Sequence, residues 1–188
     1  GIALGIFAAL KKNKWQDHLL SVLIMVFISV PSFVYALLLQ ISVYSTGMNN
    51  VIPPLMAGNI ADENGIINWF SWKTTSAMIL PVIAMSLGTI AGFARYTRAE
   101  LTEVLTSDFM LLARTKGLTR RQATVRHAMR NAMVPIFTMI LGEFISVLSG
   151  SLIIEEMFAI PGVGRLYVSS VQARPVDYNF FMLLTVFY

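Results

Sequence analysis

Three long stretches without charge, or with a single one, constrain this chain more than anything else in it. Residues 19–42, LLSVLIMVFISVPSFVYALLLQIS, follow His18 with no charge. Residues 75–93, TSAMILPVIAMSLGTIAGF, are equally free of charge, and 132–154 carry only Glu143. A hydrocarbon layer needs about 20 apolar residues per helix to cross it, so 18–42, 75–93 and 132–154 are each long enough. Inside such a layer every backbone N–H and C=O must be satisfied within the segment, which selects helices. The expected fold is therefore all-α, a polytopic transmembrane helical bundle forming a single domain over 1–188. The end segments GIALGIFAAL and YNFFMLLTVFY are too short to cross and read as helices cut by the ends of a fragment. Charged residues make up 13% of the chain, against about 25% in soluble domains, so lipid must cover much of the surface. The absence of cysteine excludes disulfide scaffolds, thiolate metal sites and cysteine nucleophiles.

Charge placement sets the expected orientation. Lys11, Lys12 and Lys14 lie in the first turn, and Arg95, Arg98, Arg114, Lys116, Arg120, Arg121, Arg126 and Arg130 lie between the second and third stretches. Only Lys73, Arg165 and Arg174 fall on the other side. By the positive-inside rule the basic loops 11–17 and 95–131 are cytoplasmic, and 44–74 and 155–177 face outward. The positive net charge is thus a topology signal. No aromatic interleaving or binding module accompanies it, so nucleic acid is not an expected partner. The opening apolar run is no signal peptide either, because its charges follow it.

Within the spans, Ala84, Gly88 and Gly92 recur every four residues, as do Thr138, Gly142, Ser146 and Gly150. Small residues at this interval let helix backbones approach in lipid. The first face is expected to pack within the chain; for the second, a subunit seam or a translocation-path lining stands beside helix packing. Pro31 lies mid-stretch and removes a backbone donor, so a kink or break is expected there, whereas Pro81 and Pro135 are expected near span starts.

The segment 95–131 has structure of its own. From Arg98 onward, Leu101, Val104, Leu105, Met110 and Leu112 recur near one face of a helix. Gly117 is a left-handed stop, with Arg114 and Lys116 in the preceding turn. Thr119 followed by Gln122 predicts a capping box that opens a second, basic helix, RRQATVRHAMRN. The residues leave two readings: a hairpin solvated at the headgroups, or a docking element for a cytoplasmic partner.

At this point the sequence resembles a known family. ARTKGLTRRQATVRHAMRNAMVPI is similar to the cytoplasmic loop of permease subunits in bacterial ABC importers of the oligopeptide, dipeptide and nickel branch. LGIFAALKKNKWQDHLL, LPVIAMSLGTIAGFARYTRAEL and EEMFAIPGVGRL resemble further segments of the same family in the same order. The resemblance implies a permease in the bacterial inner membrane, without chemistry or cofactor of its own. It would work with a second permease subunit, two cytoplasmic ATP-binding subunits and an extracytoplasmic peptide-binding protein. It further implies that Ala113, Arg114, Lys116 and Gly117 match the ATPase-coupling motif. The coupling segment would be Phe109, Met110, Leu111, Leu112, Ala113, Arg114, Lys116, Gly117 and Leu118.

Other chemistries find little support in the residues. No G-x-x-x-x-G-K-[ST] loop is present to cradle ATP phosphates. His18 and His127 have no partner at zinc-ligand spacing, and no intramembrane histidine could activate Ser149 or Ser151. Gly162-Val163-Gly164 reads as a turn. Glu143 is an ionisable group inside a span, expected to face protein or water, either in helix packing or on the path. Glu155 and Glu156 are expected to be exposed at the outer end, either docking the external binding protein or stabilising the turn. Two other functions compete with the permease: a non-transport docking or signalling subunit, and a proton-coupled carrier using Glu143.

Overall fold

The computed structural model describes residues 1–56, 68–173 and 175–187, and of Arg114, Arg120, Ser149 and Phe187 only the backbone. The central part of the expected outer loop 44–74, together with Arg174 and Tyr188, lies outside the described residues. Among those residues the chain is helical without strands. In order come α1 (Ile2–Leu10), α2 (Trp15–Ser29), α3 (Ser32–Thr46), α4 (Trp72–Thr106), α5 (Asp108–Thr115), α6 (Arg120–Ala123), α7 (Met129–Ser149), α8 (Leu152–Met157), α9 (Val163–Gln172) and α10 (Tyr178–Phe187). A 3-10 turn, Met48–Asn50, follows α3, and a π-helical turn, Thr124–Ala128, joins α6 to α7. The chain divides into two compact units, Gly1–Val30 with Leu87–Phe144, and Pro31–Ser86 with Ile145–Tyr188.

The expected break at Pro31 is complete. Val30, the residue before proline, is extended at φ −88°, ψ 123°, and Pro31 caps the start of α3 without donating an N–H. The two resulting helices of 15 residues are each about 22 Å long, short of the roughly 30 Å hydrocarbon core. Only taken together, as a broken span or a re-entrant pair, do they qualify, whereas Trp72–Thr106 and Arg121–Leu148 are each long and apolar enough alone.

Three helix boundaries differ from expectation. The second span does not end near Phe93: α4 runs unbroken for 35 residues, carrying its helix about 20 Å beyond the apolar stretch. The amphipathic helix expected from Arg98 is therefore two pieces, the end of α4 and α5, parted at Ser107. Its Oγ donates to Val104 O at 2.6 Å, and the Met110 N–H bonds Ser107 O at 3.0 Å. The third span stops at Ser149, short of 154, because Gly150 adopts φ +81°, a conformation that ends a helix. Pro81 and Pro135 lie inside α4 and α7 rather than at their starts, each removing an intrahelical bond.

In the first unit, Ala9, Leu101, Met110, Ala113, Ala123, Ala128 and Ala132 form the core where α1, α4, α5 and the helix leading into α7 meet. Alanine predominates because the backbones run close. At Gly5 an added Cβ would lie 2.6 Å from Ala94 O and from Thr97 Cβ, so α1 passes directly against α4. In the second unit, Ala36, Val43, Leu80, Ala84, Ile154 and Phe158 pack together. Gln40 Nε2 donates to Pro54 O and Met157 O at 3.0 Å each, and the buried Met56 donates its N–H to Phe158 O at 2.8 Å. Much apolar surface stays outside: Phe144 is 63% and Leu148 70% exposed, which lipid rather than water accommodates.

Candidate functional site

The segment expected to couple to a partner is a compact helix–turn–helix. α5 ends in Gly117 at φ +84°. Leu118 donates its N–H to Ala113 O at 3.4 Å, the six-to-one bond of a Schellman stop. One step later the capping box forms as the sequence predicts. Thr119 N–H donates to Gln122 Oε1 at 3.0 Å, and Gln122 N–H to Thr119 Oγ1 at 3.3 Å.

This turn holds α5 with two unlike faces. Met110 and Ala113 are buried in the alanine-rich core, whereas Phe109, Leu111, Leu112, Lys116 and Gly117 are exposed and Leu118 is half-buried. The single apolar face expected through Leu101, Val104, Leu105, Met110 and Leu112 is thus split. The break at Ser107 re-registers α5, sending Met110 inward and leaving Leu112 outside. Of Arg114 only the backbone, within α5, is described. A groove of about 510 Å³ follows the turn, lined by Leu118, Arg121, Gln122, Val125 and Arg126. Sequence reasoning did not single out Arg121, Val125 and Arg126. The placing of Arg121 three residues after Leu118, Val125 four after Arg121 and Arg126 four after Gln122 was the available signal.

The two small-residue faces differ from one another. On α7, Thr138, Gly142 and Ser146 are exposed, and among the described residues nothing lies within 4 Å of a Cβ added at Gly142. Gly150 belongs to the helix stop and not to the face. On α4, Ala84 enters the second unit's core, but Gly88 and Gly92 meet nothing within 4 Å, so the expected close packing through these glycines is not made among the described residues. Glu143 is half-buried and accepts a hydrogen bond from Thr89 Oγ1 at 3.0 Å, tying α7 to α4 within the first unit.

The two acids at the start of the outer turn have separate roles. Glu155 is half-buried rather than exposed. Its carboxylate accepts backbone N–H groups from Gly164 at 2.7 Å, Ser151 at 3.3 Å and Arg165 at 3.4 Å. Gly162 passes so close to that carboxylate that an added Cβ would collide with it. The glycine turn read from the sequence is thus the entry to α9, with Gly162 in extended conformation as its cap. Arg165 Nη1 in turn donates to the carbonyl of Ala159, which sits at φ +53°. Glu156 is exposed.

On the side of the basic loops, Asp17 is fully buried in the first turn of α2. It accepts Arg98 Nε at 2.5 Å and Nη2 at 2.8 Å, together with the Asn13 N–H at 3.0 Å. Those hydrogen bonds, the one from Arg98 foremost, hold its carboxyl below the usual aspartate value against the opposing effect of burial.

Long apolar helices with lipid-suited surfaces, joined by a capped basic helix–turn–helix, define a multi-pass α-helical membrane protein. The chain belongs to the family of binding-protein-dependent transport system inner membrane components, whose model matches residues 1–188. Accordingly it is a multi-pass, permease-type component of the bacterial inner membrane. It is 37% identical, over all of its own length and 55% of the relative's, to the dipeptide transport system permease protein of Bacillus subtilis. It is 34% identical to the oligopeptide transport system permease protein of Escherichia coli K12, over 99% of this chain and 55% of the other. A glutathione transport system permease protein of Escherichia coli O1:K1 is 36% identical over 93% of this chain and 51% of its own length. The chain thus spans about half the length of the curated relatives it matches.

Proposed function

We propose that this chain is the core of a permease subunit in an ATP-driven peptide importer, lining the path with a second permease and taking its drive from cytoplasmic ATPases. Three relatives whose names specify dipeptide, oligopeptide and glutathione transport support a short-peptide cargo. An external binding protein would deliver the peptide, and ATP hydrolysis would reside in the partner subunits. The basic segments 11–17 and 95–131 face the cytoplasm in this reading.

The observation that carries the proposal is the two-faced α5. Met110 and Ala113 anchor it among Leu101 of α4 and Ala132 of α7, while Phe109, Leu111 and Leu112 are exposed. An ATPase gripping the outer face moves the inner one with it. Because α4 and α7 continue into the apolar spans, displacement of α5 biases them between two arrangements.

The test uses the complete importer in proteoliposomes. Leu111→Asp with Leu112→Asp alters only exposed positions, and ATPase co-purification and ATP-driven peptide uptake should both fall at least about tenfold, as loss of interface anchors does. Substitution of Arg114 or Gly117 should uncouple ATP hydrolysis from uptake. Unchanged uptake and unchanged ATPase stimulation in all these variants would refute the coupling role. Uptake driven by a proton gradient without ATP would replace it with the carrier reading.

A further inference from the structure

The first unit contains a second concave feature, away from α5. A cleft of about 170 Å³ lies between α2 and α4, lined by Ser21, Ile24, Met25, Arg95, Arg98 and Ala99. The contributing positions follow the same spacing on both helices, 21, 24, 25 and 95, 98, 99, so one face of each helix forms each wall. The walls differ in chemistry. α4 supplies two guanidinium groups and α2 a hydroxyl above two apolar side chains.

Its position in the chain is as informative as its lining. Arg95 lies two residues past the uncharged stretch 75–93, and Ser21 lies near the start of the uncharged stretch 19–42. The cleft therefore sits where apolar spans give way to the basic loops, at headgroup depth. Arg98 is held in place by Asp17, which takes its Nε and Nη2. Arg95 is exposed and makes no ion pair among the described residues. Below the arginines, Val22, Met25 and Val26 are each more than half exposed and continue the cleft as an apolar surface down α2.

We propose that this cleft binds the phosphate headgroup of an anionic phospholipid, Arg95 and Arg98 meeting the phosphate and Met25 with its neighbours the upper acyl chain. A basic pocket between helices at the membrane edge is complementary to that headgroup in charge. The guanidinium fork suits phosphate oxygens better than a point charge does. The apolar continuation is what distinguishes a lipid from a free anion. Asp17 acts here as a positioning residue, keeping Arg98 at the rim instead of extended into water. The inference stands on the membrane-spanning helices and is independent of any ATPase contact.

The test is a titration of phosphatidylglycerol onto delipidated, detergent-purified full-length protein, with bound lipid counted by native mass spectrometry. Arg95→Gln should weaken binding about fivefold, the effect of losing one direct hydrogen-bonded contact to the phosphate. Ser21→Phe, which fills the cleft at constant charge, should weaken it at least as much, and Arg95→Lys should restore part of it. Lys12→Gln removes an equal charge from the neighbouring exposed turn and should leave binding unchanged. Native-like binding by Arg95→Gln, or an equal loss in Lys12→Gln, would overturn the site. Displacement of the lipid by inorganic phosphate at matching concentration would also overturn it, by making the cleft a free-anion site.

Discussion

Arg98 closes a two-point clamp on Asp17, Nε to Oδ1 at 2.5 Å and Nη2 to Oδ2 at 2.8 Å, between residues 81 apart in sequence. The clamp fastens the first turn of α2 to α4 just beyond the latter's apolar stretch. Its two ends are unequal: the Asp17 side chain is fully buried, while the Arg98 side chain is 32% exposed. That asymmetry predicts unequal mutants. Arg98→Gln leaves a buried carboxylate without its main partner and should destabilise by about 2 kcal/mol. Asp17→Asn leaves an arginine that still reaches water, and should cost less. Thermal unfolding in detergent compares the two, and equal losses would contradict the burial argument.

The same clamp predicts a pH dependence. The folded carboxyl of Asp17 titrates below its unfolded value of about 3.9, so ionisation of Asp17 favours the folded state. Its stabilisation is complete well above that unfolded value and disappears as pH falls through the lower, folded one. Unfolding midpoints measured from pH 6 downward should therefore drop more steeply below about pH 4 in the parent than in Asp17→Asn. Parallel curves would remove Asp17 as the source.

At Gly117 the backbone is left-handed at φ +84°, and among the described residues nothing lies within 4 Å of an added Cβ. The cost of Gly117→Ala is consequently backbone strain alone, about 1 kcal/mol. Asn, which tolerates this conformation better, should cost less. Hydrogen exchange should quicken for the Lys116 and Leu118 amides that bond back to Leu112 and Ala113. Exchange unchanged in Gly117→Ala would mean the stop does not depend on glycine.

Glu155 and Glu156 offer an internal comparison. Glu155→Ala orphans backbone donors of Ser151, Gly164 and Arg165 and should destabilise by about 2 kcal/mol, with faster proteolysis around the start of α9. Glu156→Ala, at an exposed position, should stay within about 0.5 kcal/mol. Similar behaviour of the two would deny Glu155 its turn-locking role.

Glu143 and Thr89 should show a coupling of about 1 kcal/mol in a double-mutant cycle built from Glu143→Leu and Thr89→Val. Glu143→Gln keeps an acceptor for the Thr89 hydroxyl and should preserve stability and ATP-driven uptake. Loss of uptake in a stable Glu143→Gln protein would move this residue from packing to the translocation path.

Features that depend on neighbours in sequence were readable in advance. Pro31 breaks the first stretch because its ring and missing N–H act on the adjoining residue. Gly117, Thr119 and Gln122 make their stop and cap with partners a few positions away. The extension of α4 to Thr106 was missed because a helix that leaves lipid need not end there. The shortening of α7 at Gly150 was missed because glycine within an apolar run serves equally for packing or for stopping.

By itself the sequence determined the helical, membrane-spanning class, since long uncharged runs admit no other satisfied backbone in lipid. The order of its quoted segments also determined the family resemblance. Only the tertiary structure decided that Met110 faces inward and Leu112 outward, that Glu155 locks the entry to α9, and that Asp17 holds Arg98. The reason is physical. Periodicity marks an apolar stripe, but lipid, a partner and the chain's own core are all apolar, so the stripe does not say which of them covers it. A charge in the sequence likewise does not name its counterpart until folding brings distant helices within hydrogen-bond reach.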